Sequence, residues 1–277
     1  FRLRIIDGVC FVGTSGGSTI CYDACVVGNR IYVSSQHRVS IFSADDFSYL
    51  GYFGSSGTGD GQFNSPVSIC SDGTYLYVAD RDNYRIQKFT LAGDFVTKKG
   101  ENGSGQNQFN KPVNIRYYNG NLYIADRDNN RVQVHQASDL NYVDTFPTGM
   151  VMMGCWIDET NQYLIAAGYY VIKVYKLSDK GFVRQSSSLP EGRSPVLIDN
   201  YLYRGDYNGH KILRYNYSDF SSAGEYIPGS GSLPGQLKSP SHLNFWSEKN
   251  LILIPNNGSP YYVVGITPDL KFQSNPD

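Results

Sequence analysis

Four histidines, His37, His135, His210 and His242, carry the chain's capacity for imidazole chemistry. Zinc accepts imidazole nitrogens from distant parts of a chain when the fold brings them to one point. His37 and His210 each follow an apolar run, Ile31-Tyr-Val-Ser34 and Tyr201-Leu-Tyr-Arg204, and His242 stands at the start of another. These three are the candidate ligands for a metal-dependent lyase or hydrolase, with His135 on a strand and without an evident partner. Carboxylates do not recur at one repeated position as a calcium site would need. No Gly-x-Ser-x-Gly elbow presents a nucleophile. The glycine-rich runs at 54–61, 100–105 and 229–235 lack the lysine and the helix of a phosphate loop. The sequence therefore assigns no catalytic residue and no cofactor.

Cys10, Cys21, Cys25, Cys70 and Cys155 form no Cys-x-x-Cys pair. Their odd number and apolar surroundings favour buried free thiols and a reducing, intracellular compartment. One disulfide, from Cys10 to Cys21 or Cys25, stays open. Asn102-Gly-Ser104 and Asn216-Tyr-Ser218 fit the glycosylation pattern, and a sugar on either would place the protein outside the cell. Localisation is left unassigned. Lys plus Arg number 24 against 25 Asp plus Glu, so no net field draws in nucleic acid or an anionic membrane. No stretch is long and apolar enough to insert into a membrane as a helix.

The elements that must position these side chains repeat. Gly61-Gln-Phe-Asn-Ser-Pro66 leads to Tyr75-Leu-Tyr-Val-Ala-Asp-Arg-Asp-Asn-Tyr-Arg-Ile-Gln-Lys-Phe89. Gln108-Phe-Asn-Lys-Pro112 leads to Leu122-Tyr-Ile-Ala-Asp-Arg-Asp-Asn-Asn-Arg-Val-Gln-Val134, and Phe63, Pro66, Asp80 and Arg85 recur 46 residues on. Within a copy, Val67-Ser-Ile-Cys70, Tyr75-Leu-Tyr-Val-Ala79, Arg85-Ile-Gln-Lys-Phe89 and Asp94-Phe-Val-Thr-Lys98 read as strands parted by Gly, Asp and Asn. Four short strands at this period form one propeller blade. Weaker copies predict an all-β, six-bladed β-propeller of four-stranded antiparallel blades, one domain over 1–277. The blades fall at about 20–54, 66–100, 112–147, 151–187, 195–228 and 240–273. The run at about 1–13 pairs in the last blade and closes the ring, hiding an edge.

Polar residues inside the repeat divide into two sets. Asp80 and Arg85 flank a short connection and can pair across it, while Asn83 can bond the turn backbone. Asp126, Asn129 and Arg131 restate this, and Pro66 and Pro112 restate the strand entry. Arg81, Asp82, Arg127 and Asp128 need no internal partner. With Tyr84, Tyr169 and Trp156 they are the candidate binding face. Met150, Met152 and Met153 beside Trp156 fit either core packing or an apolar patch at the ring mouth.

Phe63, Pro66, Asp80, Asn83, Arg85, Ile86 and Phe89, with Phe109, Pro112, Asp126, Asn129, Arg131, Val132 and Val134, resemble the NHL repeat. The resemblance implies a six-bladed β-propeller. Propellers of that family bind protein or RNA in ubiquitin ligases, or act as enzymes such as the peptide-amidating lyase. The lyase would need a richer histidine set than this chain holds. RNA binding would need a basic face, whereas each repeated arginine stands beside an aspartate. The reading is a non-enzymatic protein-interaction or structural scaffold, of the kind that forms a portion of a larger polypeptide or assembly. Its partner is a protein, with the metal-dependent lyase or hydrolase and the RNA-binding NHL domain as alternatives.

Overall fold

A computed structural model describes residues 9–13, 21–226, 240, 242–256 and 262–266. The expected linker at 229–235, the loop at 257–260, the short run at 270–272 and residues 1–8 of the closing strand lie outside them. Among the described residues there is no α-helix, only two single 3-10 turns, Arg81–Asn83 and Ser247–Lys249. The chain is all-β, with small four-stranded antiparallel sheets in a propeller arrangement.

Five blades are runs of four consecutive strands. Blade 1 is Cys21–Val27, Arg30–Ser35, Arg38–Ser43 and Tyr49–Phe53. Blade 2 is Pro66–Ser71, Tyr75–Asp80, Arg85–Thr90 and Phe95–Lys99. Blade 3 is Pro112–Tyr118, Asn121–Asp126, Arg131–Gln136 and Tyr142–Pro147. Blade 4 is Met152–Asp158, Tyr163–Gly168, Ile172–Lys176 and Phe182–Gln185. Blade 5 is Pro195–Ile198, Tyr201–Asp206, Lys211–Asn216 and Ser222–Tyr226. The expected sixth unit is not a run of this kind. It is a composite sheet of Asn244–Trp246, Leu251–Asn256 and Tyr262–Ile266 completed by Val9–Gly13 from the other end of the chain. Val9 faces Ile266 and Gly13 faces Tyr262 in that antiparallel pairing. The count of self-contained blades is thus five, because the last sheet borrows a strand.

Burial explains the strand patterns. Tyr75–Asp80 is buried on both faces because its sheet has neighbours on both sides, so it reads as an apolar run. Phe95–Lys99, at the blade's outer edge, alternates between half-buried and exposed. Each core cluster lies between successive sheets. Cys25, Tyr32 and Val39 of blade 1 meet Ile69, Val78 and Phe89 of blade 2. Val196, Tyr203 and Ile212 of blade 5 meet Leu243, Ile252 and Ile254, and Leu253 packs with Cys21, Ile31 and Val33 of blade 1. Each such apolar side chain contributes about 1.5–3 kcal/mol by leaving water.

Two devices stitch neighbouring blades. Buried tyrosines reach outward: the Tyr32 hydroxyl donates to the Leu91 carbonyl at 2.8 Å, and the Tyr77 hydroxyl to the Ala137 carbonyl at 2.9 Å. The glycine-rich linkers close over Phe63 and Phe109, both fully buried. Gly100 adopts φ +122°, and a Cβ there would stand 2.6 Å from the Tyr84 carbonyl oxygen, so the linker needs glycine.

Candidate functional site

The connections between second and third strands gather on one face of the ring, and the Asp80 carboxylate organises the first of them. It is fully buried at the end of its strand. Its Oδ1 accepts the Asn64 amide at 2.7 Å. Its Oδ2 accepts Asn83 Nδ2 and Arg85 Nε, both at 2.8 Å. Arg85 then donates from its two terminal nitrogens to the Thr58, Gly59 and Gln62 carbonyls, each at 2.8 Å. Asp126 repeats the arrangement with Asn110, Asn129 and Arg131. Arg131 holds Ser104, Gly105 and Gln108. These residues therefore clamp the linker that enters their own blade. Pro66 and Pro112 are buried opposite Asp80 and Asp126 in register.

The candidate face divides. Arg81 makes a two-pronged pair with Asp82, at 2.9 and 2.8 Å, which raises the guanidinium pKa. Tyr84 closes the turn in the left-handed region at φ 56°. Asp128 pairs with Lys111 at 3.0 Å and lies 3.5 Å from Arg127. Arg127 Nη2 donates to the Tyr169 hydroxyl at 2.7 Å, joining blades 3 and 4. Arg193 lies over the Tyr207 ring at 4.2 Å, burial lowers its pKa, and the neighbouring Gly192 amide donates to the Tyr169 carbonyl at 3.0 Å. Arg127, Tyr169, Arg193 and Tyr207 thus form one arginine–tyrosine surface over blades 3 to 5. Trp156 does not join it. It lies on an innermost strand, with Arg116 over its ring at 5.2 Å. Met152 and Met153 are buried core residues and Met150 packs against the same cluster.

Arg204 underlies this surface. Leu202-Tyr-Arg-Gly-Asp206 pairs with blade 5's third strand as Leu122-Tyr-Ile-Ala-Asp126 pairs with blade 3's, so Arg204 takes the place of Ile124. Its side chain is fully buried and makes no ion pair among the described residues. Instead it donates to the Gly168, Gly192 and Arg193 carbonyls at 2.6, 2.5 and 3.2 Å. Burial brings its pKa down to about 10. The loops that carry Tyr169 and Arg193 are held from below by this one cation.

A second constellation runs around the axis. Asp23 Oδ2 accepts the Ser68 hydroxyl at 2.6 Å and the Ile69 amide at 3.2 Å. Ser68 Oγ accepts the Ile115 amide at 3.2 Å, and Asn114 Oδ1 accepts the Cys155 amide at 2.9 Å. The belt is interrupted at Gly154, which has no side chain and packs on Ser194. Arg116 reaches Asp23 at 3.4 Å and the Leu243 carbonyl at 2.9 Å. The sequence reading passed over this belt. Its signal was the polar residue inside three apolar inner strands, Asp23, Ser68 and Asn114, at spacings of 45 and 46 residues.

The histidines stand apart. His37 Nδ1 lies 3.3 Å from the Phe63 carbonyl. His210 ends a turn at φ 55°. His242 is buried, its Nδ1 3.3 Å from the Tyr22 carbonyl. Burial brings its pKa down to about 4, with Arg193 and Arg116 acting in the same direction. Among the described residues no group of three or more His, Cys, Asp or Glu side chains could hold a metal ion. His135, expected to lack a partner, has two: the Leu140 carbonyl at 2.9 Å and Gln133 Oε1 at 3.2 Å. Asn102 is exposed on its linker, whereas Asn216 is half-buried with Nδ2 bonded to Ser221 Oγ at 2.8 Å. No helix among the described residues is long and apolar enough to cross a membrane. No family model and no curated protein matches the chain.

Proposed function

We propose that the protein is a non-enzymatic interaction scaffold, an NHL-type propeller in which the composite sheet serves as the sixth blade. The occupant of its loop face is another protein. The carrying observation is the arginine–tyrosine surface over blades 3 to 5, supported from beneath by Arg204. Tyr170 is 53% exposed and Val151 is 40% exposed beside it, so aromatic and apolar area meets guanidinium groups there. Tyrosine and arginine are the residue types that anchor protein interfaces, because they supply large contact area with directed donors. On the same face Arg81 is neutralised by Asp82, and Lys111 by Asp128, which weakens a phosphate footprint.

The test is site-specific photocrosslinking in the native host. A crosslinking residue at Tyr170 is compared with one at Tyr52, which is 57% exposed on the outer strand of blade 1. A discrete protein adduct at Tyr170, absent at Tyr52 and lost in an Arg127→Ala/Tyr169→Ala background, is the expected result. RNA adducts would move the assignment to the RNA-binding alternative. Equal adducts at both positions would remove the loop face from consideration.

A further inference from the structure

The opposite end of the ring holds a cavity of about 520 Å3 between blades 4 and 5. Small-molecule sites span roughly 300–1,000 Å3. The cavity exists because the first turn of blade 4 is longer than its counterparts. Residues 159–162 connect Asp158 to Tyr163, where residues 119–120 suffice between Tyr118 and Asn121 in blade 3. The added turn raises a wall opposite Asp199.

The lining is of one charge sign. Asp158, Glu159 and Asp199 contribute three carboxylates, and no lysine or arginine lines the cavity. None of the three makes an ion pair among the described residues. Asp158 is buried, and its oxygens accept from Asn161 at 3.0 and 2.8 Å. Trp156, Tyr217 and Phe245 supply aromatic rings in the same cavity, and two of them already meet guanidinium groups of the chain, Trp156 that of Arg116 at 5.2 Å and Tyr217 that of Arg184 at 4.5 Å. Tyr217 is 6% exposed, and its buried hydroxyl lies within hydrogen-bonding reach of Asp158, which leaves its oxygen lone pairs to accept. It stands near Asp158, which together with burial raises the phenol pKa. The hydroxyl can accept a bond from an incoming N–H.

Carboxylates repel anions, and aromatic faces attract cations through the ring quadrupole. We infer that the cavity between blades 4 and 5 binds an organic cation, an alkylguanidinium or alkylammonium group. Glu159 and Asp199 provide the attraction, Phe245 the aromatic wall over which no cation stands among the described residues, and Tyr217 an acceptor for a donated N–H. The inference stands on this cavity alone and does not depend on what the loop face binds.

Calorimetric titration of the whole chain tests it, with agmatine, which carries an alkylguanidinium and an alkylammonium end, as the cationic probe, butylurea as the neutral counterpart of its guanidinium end and tetramethylammonium as a cation without N–H donors. Glu159 and Asp199 are exposed, so Glu159→Gln and Asp199→Asn leave the fold intact, as the urea midpoint will register. Saturable agmatine binding that falls about tenfold in the double variant is expected, since each charge at a partly solvated site is worth up to about 1 kcal/mol. Tyr217→Phe should weaken agmatine several-fold and leave tetramethylammonium unchanged. Butylurea binding as tight as agmatine, or agmatine binding indifferent to the double variant, overturns the inference. A capped Gly-Arg-Gly peptide then separates sources. Binding tenfold tighter than agmatine marks an arginine side chain of a partner as the occupant, and equal or weaker binding marks a free small cation. Either result upholds the site.

Discussion

Arg85 and Asp80 meet at 2.8 Å across a four-residue connection, with both side chains buried. The pair is also the hub of a clamp, because Arg85 carries on to three carbonyls of the preceding linker. Pairing across the connection therefore couples a blade to the chain that leads into it.

Removing the arginine leaves a buried carboxylate without its cation. Arg85→Ala should cost about 3–5 kcal/mol, the range for breaking one partner of a buried pair. Urea unfolding measures it. A loss below about 1 kcal/mol would mean that the linker is held without the clamp.

His242 predicts an acid-sensitive fold. Its pKa falls from 6.5 to about 4 on folding, chiefly through burial. Below pH 6.5 the unfolded chain takes up a proton that the folded one refuses, so stability is lost as pH falls from about 6.5 to about 4. The loss amounts to about 3 kcal/mol over that window. Asp23 opposes the shift, while Arg193 and Arg116 reinforce it. Urea midpoints between pH 7 and 4 should slope less in His242→Gln, and parallel curves would refute the assignment.

Arg204→Ala should destabilise by on the order of 3 kcal/mol, from the cavity and the stranded carbonyls. Its distinctive effect is local. The Gly192 amide bonds the Tyr169 carbonyl at 3.0 Å and the Arg193 amide bonds Gly205 at 3.1 Å. Hydrogen exchange at those two amides should accelerate beyond the global change. Uniform acceleration would show that Arg204 supports the core and not the loops.

The thiols of Cys25, Cys70 and Cys155 are free and buried, and Cys21 is buried with them. Burial raises the pKa of Cys21, Cys25 and Cys155 to about 12. They should resist a thiol reagent at pH 8 until guanidinium is added, because the thiolate is the reactive form. Rapid labelling of any of the four by peptide mapping would contradict this burial.

Val9–Gly13 pairs with Tyr262–Ile266 far along the chain. Deleting residues 1–12 should lower the melting temperature of the whole domain in one transition. A separate early transition confined to the C-terminal residues would show that the composite sheet is independent of the blades.

Much of the fold was legible. The all-β class, the strand runs and the Asp80–Arg85 pair follow from spacings inside one copy of the repeat, where Asp80, Asn83 and Arg85 lie within six positions, whereas the hold of Arg85 on the preceding linker does not. Arg127 and Asp128, expected to need no internal partner, are half-buried and bonded to Tyr169 and Lys111, partners that lie outside their own turn. Trp156 was misplaced because the spacing set its strand but not its level along the axis. Arg204 was readable as a charge within an apolar run, yet the carbonyls it meets come from other turns. Asp23, Ser68 and Asn114 lay in plain view as single polar residues in apolar strands.

By itself the sequence determined what short separations carry: the period, the strand alternation and the pairing of Asp80 with Arg85 across its connection. The tertiary structure decided which copies touch. Arg116 reaches Asp23 across 93 residues and Leu243 across 127, and the cavity joins Trp156 to Tyr217 and Phe245. Those meetings depend on the innermost strands converging on one axis and on which turn is longer than its neighbours. Neither is written in local spacing, because the apolar faces between blades specify that sheets stack and leave the side chains at the axis to be matched only when the stack is assembled.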